Sequence, residues 1–259
     1  MSKQQMQYGL WPSPITPESM AAALKLEDVA WDTGGKTLLW LERRGGRGTL
    51  VASTEASAPR ELTDAHDVRA RVGYGGGSIG AGDGWAIYCE ANGQIFRQSL
   101  DYGEPLPITP AFGHGASPAL SSNGRWVLYV HHHQGRDALA LASIGGERWP
   151  QQIRRSADFF MQPAWHPNGH QITWIEWDHP QMPWDGTRLQ LATLEFAPAG
   201  CTIAELHQIA GDAQTAIFQP TFSPDGRYLA FVSDDSGWNN LCLFDLDQEE
   251  RRPLTRLET

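Results

Sequence analysis

The sequence predicts an all-β fold, a β-propeller of four-stranded antiparallel blades. Three observations support this prediction. A turn with a fixed glycine recurs at Gly35, Gly84, Gly124, Gly169 and Gly226, about every 40–57 residues. Apolar side chains alternate on both sides of each turn, and shorter apolar runs follow before the next turn. Four strands at such a period are typical of a propeller blade.

The stretch QPTFSPDGRYLAFVSDDSG, residues 219–237, shows the turn most clearly. Pro224 occupies the second turn position and Gly226 the fourth, where they favour a tight reversal of the chain. After the turn, Leu229 and Phe231 point to one face, and Tyr228, Ala230 and Val232 point to the other. This alternation indicates a strand.

Equivalent positions around the five glycines carry similar residues. An apolar residue lies four positions before each strong turn, at Trp31, Leu120, Trp165 and Phe222, and proline lies six before at Pro118, Pro163 and Pro220. Third strands are predicted over residues 49–53, 94–99, 139–143, 189–194 and 241–246, and short fourth strands over 60–63, 106–109 and 252–255. We therefore predict five blades, which stack because one blade cannot bury both of its faces.

Residues 1–25 are predicted to form an amino-terminal segment, and residues 26–259 the blades. Thr16 followed by Pro17 is a helix start, which predicts a short helix over Pro17–Leu24. The segment has no apolar core of signal-peptide length, and the sequence has no transmembrane run. We therefore expect a cytoplasmic protein.

Composition limits the classes of partner. The net charge of −10 makes nucleic acid and anionic membranes poor partners. Three cysteines, two of them in predicted strands, do not indicate a disulfide framework. The sequence predicts neither a metal site nor a cofactor.

Several motifs are better explained by structure than by chemistry. GGSIG, residues 76–80, matches the pattern of a hydrolase nucleophile, but no helix pattern follows, and Ser78 falls in the first strand of blade two. The run His131–His133 would alternate faces on a strand, so a solvated strand end is favoured over a metal site. His66, His114 and His166 are expected at the surface.

Two segments are candidates for a functional surface. In DVRARV, an alternating strand would place Arg69 and Arg71 on one face, beside Tyr74 in the glycine-rich GYGGG. These residues could hold a carboxylate or form a solvated strand face. WIEWDHPQMPWDGTRL, residues 174–189, extends a hairpin loop of blade four, where function often resides. Its candidates are Trp177, Asp178, Trp184 and Asp185, with simple covering of the blade edge as the alternative.

Three motifs together carry a family resemblance: YGLWPSPITPE, VRARVGYGGG and WIEWDHPQMPWDGTRL. In this order they resemble the amino-terminal half of the prolyl oligopeptidase family, in its acylaminoacyl-peptidase and dipeptidyl-aminopeptidase branch. The family often has His-Glu before the Tyr-Gly-Gly run, where this chain has only Gly73. The resemblance implies a propeller of commonly seven blades, followed by an α/β-hydrolase domain with a Ser-Asp-His triad.

The resemblance implies a function for the larger protein. It would hydrolyse short peptides, and the propeller would restrict access to a hydrolase domain that is expected to be absent from these 259 residues. The chain by itself is then expected to be inactive, with no catalytic residues, to resemble a fragment, and to self-associate through uncovered blades. Alternatives are a TolB-like binding scaffold and a five-bladed glycosidase. The glycosidase is disfavoured because only Asp28 offers an inward carboxylate.

Overall fold

The structure, a computed structural model, describes residues 5–9, 13–21, 24–74, 76–198 and 200–257. A single short helix, α1 (Pro17–Ala21), precedes the strands in the described part of the chain. Thr16 Oγ1 accepts a hydrogen bond from Ser19 N at 3.1 Å and so caps this helix. The predicted end at Leu24 is wrong, because Leu24 is not helical; residues 22 and 23 lie outside the described residues.

The remaining described chain forms five four-stranded antiparallel sheets, each in chain order, which confirms the predicted fold class. Blade one contains β1 (Lys25–Trp31), β2 (Thr37–Arg44), β3 (Arg47–Thr54) and β4 (Ser57–Glu61). Blade two contains β5 (Ile79–Gly82), β6 (Trp85–Cys89), β7 (Ile95–Ser99) and β8 (Leu106–Pro107). Blade three contains β9 (His114–Leu120), β10 (Trp126–His133), β11 (Arg136–Ser143) and β12 (Gln151–Arg154).

Blade four contains β13 (Phe159–Trp165), β14 (Gln171–Trp177), β15 (Arg188–Ala197) and β16 (Gly200–Ala210). Blade five contains β17 (Ile217–Phe222), β18 (Tyr228–Ser233), β19 (Asn240–Asp245) and β20 (Glu250–Pro253). The first strands of consecutive blades contact one another, β1 with β5, β5 with β9, β9 with β13 and β13 with β17. These strands therefore lie innermost, around a common axis.

Each of the five repeated glycines lies in the turn between the first and second strands of its blade, as predicted. Their φ angles are 64°, 75°, 65°, 71° and 75°, in chain order. Side chains with a Cβ adopt this left-handed region only at a cost in free energy, so the turn itself favours glycine.

The hydrophobic core is divided between neighbouring blades. Leu39 and Leu41 of blade one pack with Tyr88 and Phe96 of blade two. A second cluster joins blades two and three, a third joins blades three and four, and a fourth joins blades four and five. Burial thus depends on the stacking of blades, as expected for a repeat whose units cannot bury their own faces.

The turns themselves are linked from blade to blade. Asp32 Oδ1 in blade one accepts a hydrogen bond from Gly84 N in blade two at 3.0 Å. His166 Nε2 in blade four donates to Gly226 O in blade five at 2.7 Å. The expectation of a surface position for His166 is wrong, because its side chain is 9% exposed and tied to the next turn.

The outer faces of the first and last blades are less well covered than the rest. On β1, Leu26, Val29 and Trp31 are 71%, 63% and 60% exposed, although they belong to an innermost strand. In blade five, Leu229 and Phe231 are fully buried against blade four, whereas Leu241 is 39% exposed. Among the described residues, β1 and β17 share no contact as extensive as those between consecutive blades.

Candidate functional site

The topology brings the two predicted functional segments to the same face of the propeller. The turn glycines define a lower face. The opposite, upper face carries the start of each innermost strand and the loops between second and third strands. Tyr74 lies in the segment that leads into β5, and residues 178–187 join β14 to β15. Both therefore lie on the upper face.

The segment that contains Arg69 and Arg71 is extended but is not the predicted strand. Within the described chain it forms one β-bridge, between Val68 and Glu90 beside the end of β6, and Val68 N also donates to Gly48 O in blade one at 2.9 Å. Arg69 Nη2 donates to Gly46 O in blade one at 2.7 Å, and Arg71 is exposed. A ladder does not form because neighbouring backbone N–H groups bond to different blades, Val68 N to Gly48 O in blade one and Arg69 N to Cys89 O in blade two.

After Arg71, the chain runs over the ends of the innermost strands. Ser117 N of blade three donates to Gly77 O at 2.7 Å. A Cβ on Gly76 would lie 2.2 Å from Ser117 Oγ, and Gly76 has a φ of 97°, so both space and conformation require glycine there. Gly75 lies outside the described residues.

Asp28 fixes the other side of this segment. Its carboxylate accepts backbone N–H groups of Val29, Ser78 and Ile79, and burial raises its pKa above the usual value despite these hydrogen bonds. The inward carboxylate that a glycosidase would need is therefore used to hold the start of blade two.

Tyr74 reaches blade four and joins an aromatic cluster, which we define as Tyr74, Phe159, Trp177, His179, Met182 and Trp184. The Tyr74 ring centroid lies 5.8 Å from Phe159, 5.9 Å from Trp177 and 6.3 Å from Trp184, in edge-on geometry each time. Its hydroxyl lies 3.6 Å from Met182 Sδ. Tyr74 and Trp184 are 37% and 60% exposed, so the cluster presents aromatic surface to solvent.

Hydrogen bonds hold the blade-four loop beneath the cluster. Asp178 Oδ1 accepts from Asp158 N at 3.0 Å, and Asp158 Oδ2 accepts from His179 N at 2.9 Å. Asp178 also pairs with Arg188 at 2.7 Å. Asp185 Oδ2 accepts from Met182 N at 3.0 Å and closes the turn that carries Trp184. The acidic residues of this motif thus shape the loop.

A buried ion pair supports the strand below. Glu176, whose side chain is 2% exposed, accepts two hydrogen bonds from Arg154, at 3.0 and 3.2 Å. It accepts a third from Trp174 Nε1 at 2.8 Å. Removing one partner of such a pair leaves an uncompensated charge, so this network fixes the end of β14 firmly.

The arrangement is suited to binding. Ser78 lies just before β5, and its Oγ accepts from Ala70 N at 2.9 Å without a neighbouring histidine in the hydrogen-bond network. No group of three or more His, Cys, Asp or Glu within the described ranges could hold a metal ion. What the cluster does offer is exposed aromatic surface and one buried donor, Trp177 Nε1, that has no hydrogen-bond partner.

The structure brings together Tyr74, Trp177 and Trp184 and places Asp178 and Asp185 directly beneath them. It places Arg69 against blade one. Sequence reasoning missed Phe159, His179 and Met182. The last two stand inside the quoted blade-four motif, but Phe159 begins β13 and gave no signal beyond its apolar character.

The histidine run also differs from expectation. His131–His133 do end strand β10, but His131 is 7% exposed, and its Nε2 donates to Phe112 O at 2.8 Å. His132 Nδ1 pairs with the buried Asp137 at 2.6 Å. A solvated strand end is therefore wrong for His131, because blade two packs on that side of the strand.

Several solved structures are similar to this propeller. No family model matches the chain. A puromycin-hydrolysing peptidase of Mycobacterium tuberculosis superposes with a TM-score of 0.80 at 26% identity, over 98% of this chain. A puromycin hydrolase superposes with a TM-score of 0.82 at 27% identity, over 99% of it. The chain is similar to the propeller part of prolyl oligopeptidase family peptidases. It spans 42% and 43% of the length of those two proteins.

TolB proteins are also similar to this propeller. A TolB homolog of Chlorobium luteolum is 25% identical over 163 residues, which are 61% of this chain and 33% of that protein. A TolB from Agrobacterium tumefaciens superposes with a TM-score of 0.63 at 16% identity, which shows a shared fold. Within the part of the chain that the structure describes, no helix is long and apolar enough to cross a membrane.

Proposed function

We propose that the chain is the non-catalytic propeller part of a serine peptidase that acts on short peptides. The observation that carries this proposal is the likeness to two puromycin-hydrolysing enzymes, with TM-scores of 0.80 and 0.82, over nearly the whole chain. A mutant of one of those hydrolases was solved in complex with PGG. The proposed location is the cytoplasm.

The upper face is the part of the propeller that would meet a hydrolase domain. It carries the aromatic cluster, which is rigidly supported and partly exposed, as expected of an interaction surface. The segment from Gly76 to Gly77 contacts the first strand of blade three on this face, where Ser117 N donates to Gly77 O at 2.7 Å. Large substrates would be excluded there, and Tyr74 and Trp184 would contact either the hydrolase domain or a bound peptide.

The test uses the propeller joined to its hydrolase domain and a series of peptides of increasing length. We expect hydrolysis of aminoacyl or acylaminoacyl chromogenic substrates, with kcat/KM falling as peptides lengthen. Tyr74→Ala should raise KM about fivefold to twentyfold, the effect expected for loss of one aromatic contact. Tyr102→Ala is the matched control, because Tyr102 is 90% exposed on blade two.

The 259 residues alone should neither hydrolyse these substrates nor be labelled by a fluorophosphonate. Stoichiometric labelling that disappears in Ser78→Ala would contradict the proposal. So would a joined protein that shows no hydrolysis of any substrate in the series.

A TolB-like binding scaffold is the second candidate, favoured by the similarity to the TolB homolog of C. luteolum. The structural match to TolB is weaker, with a TM-score of 0.63 against 0.82 for the hydrolase. A stable complex with another protein through the upper face, without any hydrolysis, would favour this candidate.

A further inference from the structure

A cavity of about 400 Å³ lies between blades two and three, away from the aromatic cluster. Its walls include Phe112, Tyr129, His131, Trp149 and Gln152. Cavities of this size are in the range that holds small organic ligands. Phe112 and Trp149 are 50% and 74% exposed, so aromatic rings are open to a ligand at this site.

The walls carry no charge. No Asp, Glu, Lys or Arg lines the cavity. His131 is held as the neutral imidazole, since its Nε2 donates to Phe112 O at 2.8 Å and its Nδ1 accepts from Gln152 Nε2 at 3.0 Å. Burial also lowers the pKa of His131. A charged ligand would lose its hydration here without gaining a partner.

Most polar side chains of the walls are already paired within the protein. Gln151 makes two hydrogen bonds with the backbone of Cys201, at 2.6 and 2.8 Å. Thr109 Oγ1 accepts from Ile95 N at 2.8 Å. Tyr129 is the exception: it lines the cavity, and its hydroxyl is not among the fully buried, unpaired polar atoms of the described residues, so the hydroxyl stays in contact with the cavity. This hydroxyl can therefore donate a hydrogen bond to a ligand that enters the cavity.

We propose that this cavity binds a small neutral molecule that has an aromatic ring and a carbonyl oxygen. The ring stacks against Trp149 and Phe112, and the carbonyl oxygen accepts a hydrogen bond from the Tyr129 hydroxyl. This site is independent of the proposed peptidase function, because it lies between two blades and shares no residue with the aromatic cluster.

The probe is 4-fluorobenzamide, followed by ¹⁹F NMR in a titration with the 259-residue chain. A ligand of about ten non-hydrogen atoms at ordinary ligand efficiency binds with a Kd on the order of millimolar, so the titration extends to about 10 mM. 4-Fluorobenzoate, which is charged, and fluorobenzene, which has no acceptor, should each bind at least about fivefold more weakly.

Tyr129→Phe removes only the hydroxyl and should weaken binding of 4-fluorobenzamide about fivefold to tenfold. Tyr88→Phe is the matched control. Tyr88 is also buried, in the neighbouring blade, and its hydroxyl has no hydrogen-bond partner among the described residues, but it does not line the cavity. Trp149→Ala should weaken binding, whereas Trp238→Ala, at another exposed tryptophan, should not.

Two results would overturn the proposal. One is the absence of saturable binding of 4-fluorobenzamide, which would leave the cavity as solvent space. The other is equal affinity in the Tyr129→Phe and Tyr88→Phe variants, both shown to be folded by circular dichroism.

Discussion

Glu176→Gln tests whether the buried ion pair of blade four holds the site together. The substitution keeps the shape of the side chain and one oxygen for Trp174 Nε1, but it removes the charge that pairs with Arg154. Breaking a buried pair costs about 3–5 kcal/mol when the remaining charge is fully buried. The Arg154 side chain is 22% exposed and can regain some hydration, so we expect a loss near the lower limit, about 3 kcal/mol.

Blade one provides a matched control with the same Trp-x-Glu sequence. Trp40 Nε1 donates to Glu42 at 2.6 Å, and Arg44 Nε donates to Glu42 at 2.7 Å. The Arg44 side chain, however, is 50% exposed, so water can replace its partner. Glu42→Gln should therefore cost only about 1 kcal/mol, the usual value for an exposed pair.

The measurement is the free energy of unfolding from urea titrations, followed by far-UV circular dichroism at one protein concentration. The slope of that free energy against urea concentration should be the same in both variants. A shift in the urea concentration at the unfolding midpoint then reports a change in stability. If Glu176→Gln loses less than about 1 kcal/mol, or no more than Glu42→Gln, the buried pair is not what fixes the end of β14.

Three further predictions concern the turns, the axis and the uncovered blades. In urea titrations, Gly226→Ala should lower the free energy of unfolding by about 2–4 kcal/mol, and Gly35→Ala by only about 1–2 kcal/mol. Both glycines have a positive φ, which an alanine adopts only at a cost. Only at Gly226 would the added Cβ also meet another group, His166 Cε1 at 2.6 Å. Equal losses would contradict the contact between blades. Wild-type stability should fall as pH rises through the raised pKa of Asp28, and Asp28→Asn, whose side chain cannot ionise, should lose this pH dependence in urea titrations above and below the ordinary aspartate pKa. The reason is that a raised pKa in the folded state penalises only the ionised form. An Asp28→Asn variant that keeps the wild-type pH dependence would be inconsistent with this. Finally, sedimentation velocity over a dilution series should show reversible self-association of the 259-residue chain, because β1 exposes apolar side chains. A chain that stays monomeric at every concentration and binds little apolar dye would contradict this prediction.

The sequence alone determined the blade plan because that plan is encoded locally. A glycine such as Gly226 is favoured by the φ of its own turn, and the alternation after it follows from the geometry of a strand. Five such turns therefore gave the number of blades and the position of the first two strands in each. The fourth strands of blades three and four, Gln151–Arg154 and Gly200–Ala210, were not predicted. A strand at the outer edge buries few side chains, so its sequence shows little alternation of apolar and polar residues.

Only the tertiary structure decided which residues meet. Tyr74 and Trp177 lie about a hundred residues apart in the sequence, and they touch because the blades between them turn around one axis. His166 has the polarity of a surface residue and became buried because the next turn supplied a carbonyl for it. Arg69 and Arg71 alternate as a strand would, but no ladder was available to pair with them. Local patterns fix turns and strand faces, whereas contacts across the axis depend on how the blades stack.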